Sequence, residues 1–224
     1  MNPSFPSLVV FLFLLGADSF QAGLAQAPAG APASSTLVVV NALPGPGNLF
    51  VKFGPEEIWP PGFTPGQSTG AVAFASGKKA IEARCQGFVT TRLEGELAPK
   101  ANCAMVFYPG AEVKDGPDKG KRKIGLFQPD PLRGGTQGKS WRIILVGAVG
   151  STTLQVNDQP VTLEPGRSQR IETGGKHFVE VKQAGETLLA ESPEDPGEYW
   201  VVLYEGQPGK LTAVLLNHLP YPVP

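Results

Sequence analysis

The chain has 224 residues, and its 19 lysines and arginines almost balance its 20 aspartates and glutamates. That balance excludes nucleic acid as a main partner, because such binding needs a strongly basic face. With 28 glycines and 23 prolines the composition approaches that of disordered chains, but the runs between them are too apolar and too regular for disorder. Short strands joined by Gly/Pro turns fit better.

Leu8 to Ala17 is an apolar run. It is shorter than the roughly 20 residues needed to cross a bilayer, and it reads as the hydrophobic core of a secretory signal peptide. Small residues follow, and cleavage after Ala25 gives a signal peptide over residues 1–25. A periplasmic or secreted protein follows from that reading. No later run is long enough to span a membrane, so no integral membrane segment is expected. Residues 26–35, rich in alanine, proline and serine, read as a linker.

Strand-like runs then follow one another. In residues 36–128 they are Thr36–Leu43, Asn48–Phe53, Thr69–Ala75, Lys78–Arg84, Phe88–Gly95, Asn102–Tyr108 and Arg122–Gln128. Residues 129–139, with two prolines and paired glycines, read as a second linker. In residues 140–224 the runs are Trp141–Val146, Thr152–Asn157, Val161–Glu164, Ser168–Glu172, Lys176–Lys182, Glu186–Glu191, Glu198–Tyr204 and Lys210–Asn217. Several alternate: Ile81, Ala83 and Cys85 share one face of their run, and Val179 and Val181 share one face of theirs. Period-two alternation is the mark of antiparallel sheets with one buried face. Asn157-Asp158 and Gly174-Gly175 supply hairpin turns.

The chain also repeats itself. Pro65-Gly66-Gln67-Ser68 recurs as Pro165-Gly166-Arg167-Ser168, and Gly77-Lys78 with Ile81-Glu82 recurs as Gly175-Lys176 with Val179-Glu180. Tyr108-Pro109-Gly110 recurs as Tyr204-Glu205-Gly206. A period near 100 residues is the size of one β-sandwich and too long for a solenoid unit. The expected fold is therefore all-β: two tandem immunoglobulin-like antiparallel β-sandwich modules, residues 36–128 and 140–224.

The two cysteines, Cys85 and Cys103, both fall in the first module on inward faces. An exported protein with an even cysteine count usually oxidises them, so a Cys85–Cys103 disulfide is expected. On the chain-entropy model it would stabilise the module by roughly 3 kcal/mol.

Motifs for catalysis are sparse. His177 and His218 are the two histidines, and there is no G-x-S-x-G nucleophile turn to meet them. Gly134 to Ser140 (GGTQGKS) resembles a phosphate loop but has the wrong spacing, and a strand rather than a helix follows it. Neither a catalytic set, a metal site, a nucleotide site nor any other cofactor is expected. The carboxylates Glu56-Glu57 and Glu191, Glu194 and Asp195 read as solvated turns, with calcium at the second cluster as the other reading.

Two surface features stand out. Lys114, Lys119, Lys121, Arg122 and Lys123 concentrate positive charge in a loop far longer than its counterpart Gly206–Gly209. An insertion in one copy of a repeat is where a binding function can be grafted, here for an anionic polymer or an acidic partner. The other reading is a solvated hairpin that keeps an edge strand soluble. Trp59 and Phe63, in a proline-stiffened loop, are a second candidate contact, or else a cover for the open end of the sandwich.

Three of these features carry a resemblance to a known family. The opening strand Leu37-Val38-Val39-Val40-Asn41, the turn at Pro65-Gly66 and the hairpin at Gly77-Lys78 are similar to those of the alginate O-acetylation accessory proteins of Gram-negative bacteria. Those are exported proteins of similar size built of two β-sandwich modules. The resemblance implies a non-enzymatic periplasmic adaptor in polysaccharide acetylation, with a protein partner or an anionic polysaccharide in the cell envelope. A structural spacer of a surface or secretion system is the alternative, and a carbohydrate-active enzyme is a third.

Overall fold

In the computed structural model the described residues are 33–131, 139–148, 150–171, 173, 178–207 and 209–218. The expected signal peptide, most of both expected linkers, the expected Gly174-Gly175 turn and His177 fall outside them, as does the side chain of His218. Among the described residues the chain is all-β, with no helix and seventeen strands in four sheets.

The first nine strands are β1 Ser34–Asn41, β2 Phe50–Phe53, β3 Glu56–Glu57, β4 Val72–Ala75, β5 Gly77–Arg84, β6 Phe88–Val89, β7 Thr91–Leu97, β8 Asn102–Glu112 and β9 Arg122–Phe127. They form a five-stranded sheet in the order β4-β1-β8-β9-β6 and a four-stranded sheet in the order β3-β2-β5-β7. The next eight are β10 Lys139–Val146, β11 Thr152–Val156, β12 Gln159–Leu163, β13 Ser168–Arg170, β14 Val179–Gln183, β15 Glu186–Glu191, β16 Gly197–Gln207 and β17 Lys210–His218. Their sheets run β13-β10-β16-β17 and β12-β11-β14-β15. With β6 set aside, the two orders are the same.

The sheets that hold β1 and β10 are mixed, which corrects the expectation of antiparallel pairing throughout, while the other two are wholly antiparallel. The first strand of each half runs parallel to the one before last, β1 with β8 and β10 with β16. All the intervening strands separate these partners in sequence, so no tight turn is needed to join them. The run expected over Phe88–Gly95 is also split. Its first part, β6, pairs with β9 in one sheet, and its second, β7, pairs with β5 in the other. Ser34 and Ser35, expected in a linker, already belong to β1, where Ser35 Oγ donates to Ala98 O at 2.6 Å.

Local chemistry explains the turns. Asn157 and Asp158 both have positive φ, 49° and 64°, as a two-residue hairpin between β11 and β12 requires. Thr64–Gln67 and Glu164–Arg167 are matching turns. Gln67 N donates to Thr64 O at 3.0 Å and Arg167 N to Glu164 O at 3.2 Å. Proline second and a glycine third at φ near 78° and 76° make both type II turns.

Each half encloses its own core. Leu37, Val39, Val51, Phe53, Ile81, Met105 and Phe107 bring together side chains from both sheets of the first half. Trp141, Ile143, Leu154, Val179, Val181 and Tyr199 do so in the second. A third cluster joins the halves: Val38, Val40 and Val106 from β1 and β8 pack with Ile144, Val146, Trp200 and Val202 from β10 and β16. The sheets holding β1 and β10 are thus covered on both faces. That is why Val38-Val39-Val40 and Ile143-Ile144-Leu145-Val146 are continuously apolar where β5 and β11 alternate.

Candidate functional site: a basic hairpin rooted in a junction cleft

The basic segment is the tip of the β8–β9 hairpin. Residues 113–121 form a loop closed on itself: Val113 N donates to Lys121 O at 2.8 Å and Gly120 N to Val113 O at 3.0 Å. Gly116 and Gly120 take φ of 86° and 84°, which allows the tight path. Lys114, Lys119, Lys121 and Lys123 are exposed. Lys121 Nζ pairs with Asp118 at 2.8 Å. At this exposure the pair is worth at most about 1 kcal/mol and leaves the local charge positive.

Arg122 has a different place. Its Nε donates to Gly110 O at 2.8 Å, and its Nη2 donates to Pro109 O at 2.8 Å and Gly147 O at 2.7 Å. Two of those carbonyls belong to β8 and the third to the second half. The guanidinium therefore clasps the halves together at the root of the hairpin rather than joining the lysines at its tip. Charge-assisted bonds to several fixed acceptors are what a planar guanidinium does best.

Next to the clasp a cleft of about 660 Å³ opens between the halves. Tyr108, Pro109, Glu112, Arg122 and Phe127 line it from the first half, and Gly147 and Pro165 from the second. Its size falls within the range of small-ligand sites, and a junction between packed units is a usual location. The Tyr108 ring is held flat: a Cβ on Gly125 would lie 2.6 Å from it, and one on Gly147 would lie 3.2 Å away.

The repeat has a counterpart cleft. Tyr204, Gly206, Gln207 and Lys210 of the second half meet Pro44, Gly45 and Pro65 of the first around about 250 Å³. The repeated motifs therefore meet across the junction in exchange: Tyr108–Gly110 faces Pro165-Gly166, and Tyr204–Gly206 faces Pro65. Burial pushes the Tyr204 phenol above its ordinary range. The second cleft has only the short turn before Lys210 where the first has the charged hairpin.

The other expected contacts separate. Trp59 is 48% exposed, but Phe63 is 1% exposed and belongs to the first core, its N and O both bonded to Leu49. Phe63 is thus a core residue and offers a ligand no surface. The loop between them is pinned by Gly62 N to Trp59 O and by Asn48 Nδ2 to Pro61 O.

The cysteines also depart from expectation. Both are buried as read, but no disulfide joins them. Gly77, at the start of β5, pairs with Leu97, just before the turn into β8, whereas Cys85 follows the far end of β5. A strand of that length spans about 26 Å, and a disulfide needs Cα atoms within about 7 Å. The Cys85 thiol donates instead to Gly47 O at 3.4 Å, and burial pushes its pKa up.

Of the carboxylates, Glu57 pairs with Arg84 at 3.3 Å. Among the described residues no group of three His, Cys, Asp or Glu side chains is placed to hold a metal ion. No described helix is long and apolar enough to cross a membrane. No protein-family model matches the chain, and no curated protein matches it either.

Proposed function

We propose that the protein is a non-enzymatic, exported binding or adaptor protein of the bacterial cell envelope. On this reading each half is an immunoglobulin-like β-sandwich module, and the basic hairpin engages an anionic polysaccharide. The observation that carries it is the asymmetry between the copies. A fold that needs only a short turn between β16 and β17 has, between β8 and β9, an ordered loop with four exposed lysines. The fold does not require those cations, so a partner is the economical reason for them. The family resemblance adds a place for such a protein, as an accessory to alginate-like exopolysaccharide O-acetylation. A structural spacer remains the second reading, favoured by the apolar cluster that joins the two halves.

The test is retention on an immobilised anionic polysaccharide. Lys114→Gln, Lys119→Gln and Lys123→Gln together should elute at clearly lower salt than the parent, with the melting temperature unchanged. Arg122 is left in place, because its loss would disturb the junction. Equal elution of parent and variant would remove the hairpin reading and leave the spacer. N-terminal sequencing of the exported chain should begin at Gln26, and a retained Met1 would count against export.

A further inference from the structure

The two halves differ at one more pair of equivalent strands. β4 and β13 are the outer strands beside β1 and β10. β13 is Ser168-Gln169-Arg170, flanked by the ion pair of Arg167 with Glu164 at 3.0 Å. Charges of this kind keep an open strand edge from pairing with another chain. β4 has no such guard. It reads Val72-Ala73-Phe74-Ala75, and no charged residue and no histidine occurs anywhere between Glu57 and Lys78.

Among the described residues the edge is also open in its hydrogen bonding. Ser76 N donates to Ala33 O, and the register pairs Ser34 with Ala75 and Leu37 with Val72. Alternation along an antiparallel ladder then turns the N–H and C=O of Val72 and Phe74 toward β1. Those of Ala73 and Ala75 turn outward. Both alanines are exposed. Val72 beside them is 41% exposed. Phe74 itself turns inward, where Phe53 of β2 meets it edge to face at 5.4 Å.

We propose that this edge is a self-association surface, on which a second copy of the chain adds its own β4 antiparallel. The segment is its own complement. About a two-fold axis at Phe74, Ala73 of one copy pairs with Ala75 of the other, and the reverse, which uses every outward group of the strand. The paired segment carries no charge, and a net charge of −1 gives the copies little reason to repel. Isologous pairing of this kind closes after two copies and forms no filament. So short a strand buries less than the roughly 1,200 Å² of a stable interface, so the dimer is a weak one that forms with concentration.

Sedimentation equilibrium of the purified full chain tests this. The average mass should rise from one chain toward two as concentration increases. Ala73→Pro removes an outward N–H and no bond to β1, so the fold should survive and the mass should stay at one chain. Val72→Lys places a charge on the same edge, should also hold the mass at one chain, and decides the matter if the proline variant misfolds. Lys114→Gln, Lys119→Gln and Lys123→Gln should dimerise like the parent, which keeps this test separate from that of the hairpin. A parent that stays at one chain at every concentration, or a folded Val72→Lys that dimerises equally well, overturns the proposal.

Discussion

The first half and the second half share a strand order and differ in what they show to solvent. In the second half the β16–β17 turn is short, the β13 edge is polar, and the cleft around Tyr204 is small. In the first, the β8–β9 loop is long and basic, the β4 edge is bare, and the cleft around Tyr108 is more than twice as large. One copy carries the framework alone, and the other carries the framework plus its specialisations. The difference teaches that burial constrains the repeat, while the surface features at rims, tips and edges change freely.

The sharpest way to test that comparison is at matched core positions. Phe107 and Leu203 occupy the same register and are both fully buried. Phe107→Ala should cost about 3–5 kcal/mol and Leu203→Ala about 2–5 kcal/mol. The junction is apolar and continuous with both central sheets. Either variant should therefore shift one shared calorimetric transition rather than split off its own half. Two separate transitions in the parent would mean that the halves fold independently and that the third apolar cluster is a weak contact.

A smaller effect is expected at the clasp. Arg122→Gln loses bonds to three carbonyls, one of them across the junction, and should lower stability by about 1–2 kcal/mol. The lysine variants beside it should stay within about 0.5 kcal/mol of the parent. An unchanged melting temperature for Arg122→Gln would mean that water replaces the guanidinium at no cost and that the clasp contributes nothing.

Arg122 also shows where sequence reading stops. Its neighbours Lys121 and Lys123 point outward, and nothing in the string KRK separates the middle residue from the outer two. The separation comes from a bulge in β8 between Pro109 and Glu112 and from the close approach of Gly147, and both are tertiary facts. The all-β class was legible, because Ile81, Ala83 and Val179, Val181 repeat with period two and the Pro-Gly turns punctuate them. The parallel pairing of β1 with β8 was not, because an apolar run such as Leu37–Val40 reports double burial without naming its partners. The proline-rich setting of Phe63 fits either a surface contact or a cover for the core, and its ladder to Leu49 decides for the core. The cysteine faces were legible too, but facing inward leaves position along the strand open, and the thiols sit toward opposite ends of the core.

The mildest contrast between the halves is in how they respond to alkali. Cys85 in the first and Tyr204 in the second are buried acids whose ionised forms lose hydration, so folding raises both pKa values. The unfolded chain releases each proton at its ordinary value while the folded chain still holds it. Each group's contribution to stability is therefore intact below that value and lost as pH rises through the folded pKa. The ordinary cysteine value lies below that of tyrosine, so the loss from Cys85 should begin at lower pH than the loss from Tyr204, both acting on the one shared transition. The urea midpoint should be flat around neutrality and fall in two steps above it. Cys85→Ala should remove the earlier step and Tyr204→Phe the later one. The same thiols give an independent check, because unfolding without reductant should expose both cysteines to a thiol reagent. A midpoint that stays level past the tyrosine range would show that these two groups are not the buried acids described above, and a chain with no reactive thiol when unfolded would show that the cysteines are joined in a disulfide after all.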